Sequence, residues 1–169
     1  MENIKITKYS YDTFGKVLVK IQFFEQLVKI FISLFNKDAK LRNKRINNLS
    51  YKDILDDNIL KRNQTLGILM SVIKKEMKIF DNDEFNELLE KRNIFIHKLH
   101  KEYLSNDSLD EEELTRFINQ LWNLINKYID IFTGLISLSV KTISNNKIDT
   151  SDIDKCEENL IRYITSVKE

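Results

Sequence analysis

A chain of 169 residues that contains no proline and only three glycines, Gly15, Gly67 and Gly134, has very little with which to turn a β-hairpin. Two-residue hairpins need positive φ, which glycine supplies, and sandwiches need such turns every ten residues or so. Every apolar pattern in the chain instead has the helical period of threes and fours. The expected fold is therefore all-α, an antiparallel helical bundle of about five to six helices, built as one domain over residues 1–169.

The elements can be placed from their apolar stripes and caps. The first helix is expected over Tyr11 to Phe35, with one stripe at Phe14, Leu18, Ile21, Val28, Ile32 and Phe35. A second face carries Val19, Phe23, Leu27, Ile30 and Leu34. A helix apolar on two faces needs cover on both, either as the centre of a bundle or from a partner chain, which is a first indication of a second copy. Glu25 interrupts the main stripe between Ile21 and Val28, and an inward carboxylate needs a donor. Asn36 to Asn48 is polar and basic and reads as an exposed connection. Ser50 can cap a short helix through Asp56, and Thr65 a helix to about Phe80. Asp81 or Asp83 starts the next helix, expected to reach Leu104 before the turn-like Ser105-Asn106-Asp107-Ser108. Asp110 followed by Glu111, Glu112 and Glu113 suits the positive end of a helix expected to run to Ser144, with Gly134 as a kink or close-packing point. Ser151 or Asp152 opens the last helix, to about Val167.

A formal net charge of only +1 with 31% charged residues excludes a protein that coats nucleic acid by global basicity, so any RNA contact must be local. The single cysteine, Cys156, cannot close an internal disulfide, and no secretory leader is evident, so the expected location is cytoplasmic. The longest apolar stretches, such as Ile30 to Phe35, are too short for a membrane span.

The residues with chemical promise lie on the helix expected from Asp83. Phe85, Leu88, Phe95, Ile96, Leu99 and Tyr103 fall within about 60° of Arg92 on a helical wheel, which sets the arginine in the middle of an apolar stripe. A guanidinium there needs a carboxylate, a carbonyl or a bound phosphate. Glu25 is a candidate partner, and a buried ion pair locking two helices is the plainer reading. His97 projects about 140° from Arg92, on the side of Asn93, Glu90 and Lys101, with His100 on its flank. Ile94 lies on this otherwise polar side, which suggests that it too is covered. Other catalytic kits are missing: the chain has no Gly-x-Ser-x-Gly elbow, no glycine-rich phosphate loop and no Cys-x-x-Cys. The His97 and His100 pair lacks an evident third ligand, so neither a metal nor another cofactor is expected.

Arg92, Asn93 and His97, in Glu90-Lys-Arg-Asn-Ile-Phe-Ile-His97, resemble the Arg-x4–6-His motif of the HEPN superfamily, whose members carry it on a late helix of an all-helical domain. The first helix, with Gly15, Phe24 and Glu25, is also similar to that of compact HEPN proteins. The resemblance implies a homodimer that brings two motifs into one cleft at the interface and cleaves RNA without metal. It further implies His97 as acid and base, Arg92 as the transition-state clamp, and Asn93 as a residue that orients His97 or binds phosphate. Lys98, His100 and Lys101 would guide the RNA backbone. Many relatives are toxins, abortive-infection proteins or CRISPR-associated nucleases, so a bacterial stress or phage-defence effector with an antitoxin or regulatory partner is expected. Toxins of this kind often have a tyrosine two residues after the histidine, where this chain has Leu99. The alternative from another class is a noncatalytic helical interaction or nucleotide-binding module.

Overall fold

The computed structural model describes residues 6–7, 10–38, 66–105, 110–144, 149 and 154–167, and no strand occurs among them. The fold is all-α. Its described helices are α1 (Tyr11–Asp38), α2 (Leu66–Glu76), α3 (Asp83–His97), α4 (Glu111–Ile143) and α5 (Asp154–Val167). A 3₁₀ turn at Lys78–Phe80 succeeds α2, and a π-helical turn at His100–Leu104 succeeds α3. None of the described helices is long and apolar enough to cross a membrane.

Three element boundaries differ from those expected of the sequence. The first helix continues through Asn36, Lys37 and Asp38, residues that look like the start of a polar connection. The helix expected to reach Phe80 ends at Glu76, and the apolar period is completed by the 3₁₀ turn that buries Phe80. The α-helical part of the motif helix stops at His97 and not at Leu104. The rest of the basic stretch to Asn48, the helix expected from Ser50, the cap at Thr65, and Ser151 and Asp152 lie outside the described residues.

The chain divides into two compact units, Met1–Phe23 with Asp83–Lys127 and Phe24–Asn82 with Tyr128–Glu169, so α1 and α4 each contribute one part to both. In the first unit α3 runs antiparallel to the beginning of α4. Lys127 Nζ reaches Glu84 at 2.6 Å while Lys91 Nζ donates to Gln120 at 2.8 Å, so one helix ascends as the other descends. Phe85, Leu88 and Phe95 are buried on α3, and Leu114, Phe117, Ile118, Leu121 and Ile125 on α4, a spacing of threes and fours that puts one stripe inside. Each such side chain stabilises the unit by about 1.5–3 kcal/mol. Phe14 on α1 meets Phe95 edge-on at 6.4 Å, and the Ile6 backbone donates to Thr115 Oγ1 at 3.0 Å.

The second unit is organised around Phe132. Phe80 stacks on it at 5.1 Å, and Phe24 and Phe31 of α1 approach it edge-on at 5.7 and 5.6 Å. Both geometries are the favourable ones for ring quadrupoles. Nearby, the buried Tyr163 hydroxyl donates to the Ile79 carbonyl at 2.7 Å, and Asn82 Nδ2 donates to the same carbonyl and to the Tyr163 oxygen. These bonds fix the 3₁₀ turn against α5. Gly134 is a close-packing point, since a Cβ there would lie 2.5 Å from the Cys156 carbonyl oxygen.

Candidate active site

Asp83 and Glu84 in the first turn of α3 and His97 in its last suit the helix dipole at both ends. The buried positions Phe85, Leu88 and Phe95 leave one gap in the stripe, at residue 92, and an arginine fills it. Arg92 is half-buried, where the helical wheel sets it at the centre of the buried face. Its Nη1 donates to Asn93 Oδ1 at 3.0 Å, in an exposed hydrogen bond. An arginine can lay its methylene stem along apolar neighbours while its head group makes polar contacts, which suits such a residue to this slot.

Asn93 and His97 are both exposed and stand one helical turn apart, at i and i+4, so their side chains are neighbours on the helix surface. Asn93 therefore lies between two residues that the wheel separates by about 140°. The guanidinium is hydrogen-bonded to the Asn93 amide, and Asn93 and His97 occupy neighbouring positions on the helix surface. Arg92, Asn93 and His97 form one accessible, polar patch at the carboxyl end of α3.

Beyond His97 the helical pitch changes. The Lys98 and Glu102 amides still donate to carbonyls four residues back, but the Ser105 amide reaches the carbonyl of His100, five residues back, at 2.8 Å. Widened turns of this kind are frequent at functional sites. Here Tyr103 stacks on Phe117 at 4.9 Å, which anchors the widened turn to α4. Burial, together with the nearby Glu113 and Glu102 carboxylates, raises the Tyr103 phenol above its usual value. Lys98, His100 and Lys101 are all exposed around this turn, and Lys98 faces Glu102 at 3.9 Å. Ile94 is half-buried, and Glu25, half-buried on α1, belongs to the second unit. Among the described residues no three His, Cys, Asp or Glu side chains are grouped to hold a metal ion.

A groove lies in the same unit, on α1. Val19 and Phe23, one turn apart, are 63% and 50% exposed, and with Trp122 they line a groove of about 640 Å³. The sequence pattern singles out the apolar pair as needing cover. It does not single out Lys16, Lys20 and Trp122, which line the same groove. The signal for them is the i, i+4 spacing of the lysines beside the apolar pair. Leu18, expected on the inner stripe, is 40% exposed.

No family model, curated protein or solved structure matches the chain.

Proposed function

We propose that the chain is a metal-independent endoribonuclease of HEPN type, a cytoplasmic toxin or phage-defence effector controlled by an antitoxin or regulatory partner. The observation that supports this reading best is the accessible cluster at the end of α3, with Arg92 bonded to Asn93 and Asn93 one turn below His97. In the proposed reaction His97 takes the proton of an RNA 2′-hydroxyl, the 2′-oxygen attacks the adjacent phosphorus, and the bond to the 5′-oxygen breaks. The leaving oxygen takes up a proton, giving a 2′,3′-cyclic phosphate and a 5′-hydroxyl end. Arg92 neutralises charge on the pentacoordinate phosphorus, and Asn93 orients His97 or binds a phosphate oxygen. Lys98, His100 and Lys101 supply positive charge along the RNA backbone. The active form is a homodimer with two motif helices at one interface.

The test is incubation of the purified chain with RNA in EDTA. The expected products carry 2′,3′-cyclic phosphate or 3′-phosphate, and a substrate with 2′-deoxyribose at the cut site stays whole. Cleavage that proceeds on the deoxy substrate, or that stops in EDTA, rules out this chemistry.

A further inference from the structure

The groove on α1 contributes no residue to the proposed cleavage chemistry, and its apolar residues Val19 and Phe23 are exposed. A glycine inside a helix costs about 0.5–1 kcal/mol relative to alanine. Gly15 brings no compensating close contact, because a Cβ added there would meet nothing within 4 Å among the described residues. Phe23 is half exposed, two turns further along the same helix. Trp122, the only tryptophan of the chain, forms part of the wall, and Lys20 Nζ lies over its ring at 5.6 Å.

The polar groups of the groove indicate its occupant. Lys16 and Asp12 form an ion pair at 2.6 Å, with side chains 65% and 82% exposed. Such a surface pair contributes at most about 1 kcal/mol, so Lys16 can exchange its partner for an anion at little cost. Lys20 sits one turn beyond Lys16, and the two line the groove together with Asp12. Apolar and aromatic walls with two cations beside them match a nucleotide, whose base has apolar faces and whose phosphate is an anion. A volume of about 640 Å³ lies within the 300–1,000 Å³ usual for small-ligand sites and accommodates a nucleotide.

The geometry points to the α1 groove as a subsite for an unpaired nucleotide of single-stranded RNA, with the base against Phe23 and Trp122 and phosphates on Lys16 and Lys20. The choice of ligand rests on the nuclease reading. Gly15 gives the base a path over bare backbone. A paired base cannot enter, since both its faces are already stacked, so the groove selects unpaired RNA.

Trp122 reports on this groove alone, because no other tryptophan contributes emission. The experiment titrates the full chain with a single-stranded 2′-O-methyl oligoadenylate, which lacks the free 2′-hydroxyl and is not cut. Expected is saturable quenching of Trp122, absent with a duplex of the same length and unchanged in His97→Ala. Phe23→Ala weakens binding about tenfold, the loss expected for one base stack. Lys16→Gln with Lys20→Gln makes the slope of log affinity against log salt concentration shallower by about 0.7 per lost phosphate contact. Circular dichroism checks that both variants are folded. Quenching by the oligonucleotide while wild type fails to cut ordinary RNA upholds the subsite and removes the nuclease reading. Cleavage without quenching does the reverse. Equal quenching by duplex overturns the subsite, as does Trp122 emission that changes with protein concentration alone, which would give the groove to a second copy.

Discussion

Gly134 and Gly15 lie on long helices in opposite circumstances, and the same substitution should act on them with opposite sign. A Cβ at Gly134 would meet the carbonyl oxygen and carbon of Cys156 at 2.5 and 3.0 Å, backbone atoms that cannot swing aside. Gly134→Ala therefore forces α4 and α5 apart locally, and overpacking of this kind costs about 1–3 kcal/mol, more than the helix propensity regained. Gly15→Ala meets no obstacle and should stabilise by about 0.5–1 kcal/mol. Thermal denaturation reads both, at about 2–4 °C per kcal/mol for a chain of this size. The catalytic residues separate similarly. His97 is exposed, so His97→Ala should leave the melting temperature unchanged and lower RNA cleavage by about a hundredfold or more. Arg92→Ala should lower cleavage on the same scale and also destabilise, because its half-buried side chain fills the gap between Leu88 and Phe95. A folded His97→Ala protein that cuts RNA at the wild-type rate would refute the proposed site.

At the scale of elements, α4 shows how a helix start is encoded. Asp110 Oδ1 accepts the amides of Glu112 and Glu113 at 2.9 and 3.1 Å, and three glutamates occupy the first turn. Asp110→Ala should cost about 1 kcal/mol, measured by chemical denaturation, and a variant as stable as wild type would show that the cap is dispensable. This start is legible in the sequence because the cap and the charges are local signals. The ends of α2 and α3 are not. Apolar residues keep their period through Met77, Ile79 and Phe80, but Phe80 turns inward through a 3₁₀ step to stack on Phe132, a contact distant in sequence. The period of α3 likewise continues through Leu99 and Tyr103, and nothing local announces that the Ser105 amide bonds five residues back. Among site residues, the motif itself is plain in the sequence, whereas the hydrogen bond from Arg92 to Asn93 is not. A helical wheel records the direction in which a side chain leaves the backbone, and an arginine is long enough to end elsewhere.

For the whole molecule, the proposed homodimer predicts a mass twice that of the chain by light scattering at micromolar concentration. Ile94, half-buried on the side of α3 that carries Asn93 and His97, is expected at the interface, so Ile94→Glu should give a folded monomer that no longer cuts RNA. A single-chain mass for wild type refutes the dimer. Global stability should also carry a defined pH dependence, from the pair that fastens α5 to α4. Lys141 Nζ lies 2.8 Å from Glu157 and 3.4 Å from Asp154, while the buried Ser137 hydroxyl donates to Glu157. The hydrogen bond from Lys141, then that from Ser137, holds the Glu157 carboxyl below its usual 4.5. The same hydrogen bond, foremost among its causes, raises Lys141 above 10.5. A carboxylate with a lowered folded pKa binds fewer protons folded than unfolded, so its stabilisation is complete above 4.5 and is lost as pH falls through the lowered value. A lysine with a raised folded pKa has the opposite sign, so its contribution is complete below 10.5 and is lost as pH rises through the raised value. The pair thus stabilises across the neutral range and fails at both extremes. Glu157→Gln removes the acid limb and the largest cause of the alkaline one, leaving Asp154 beside Lys141. Its melting temperature should lie below that of wild type between about pH 5.5 and 10, and the two curves should converge on strong acidification as the wild-type carboxylate takes up its proton. A constant gap between the curves down to about pH 2 would show that the variant is destabilised by lost packing and not by the charge of this pair.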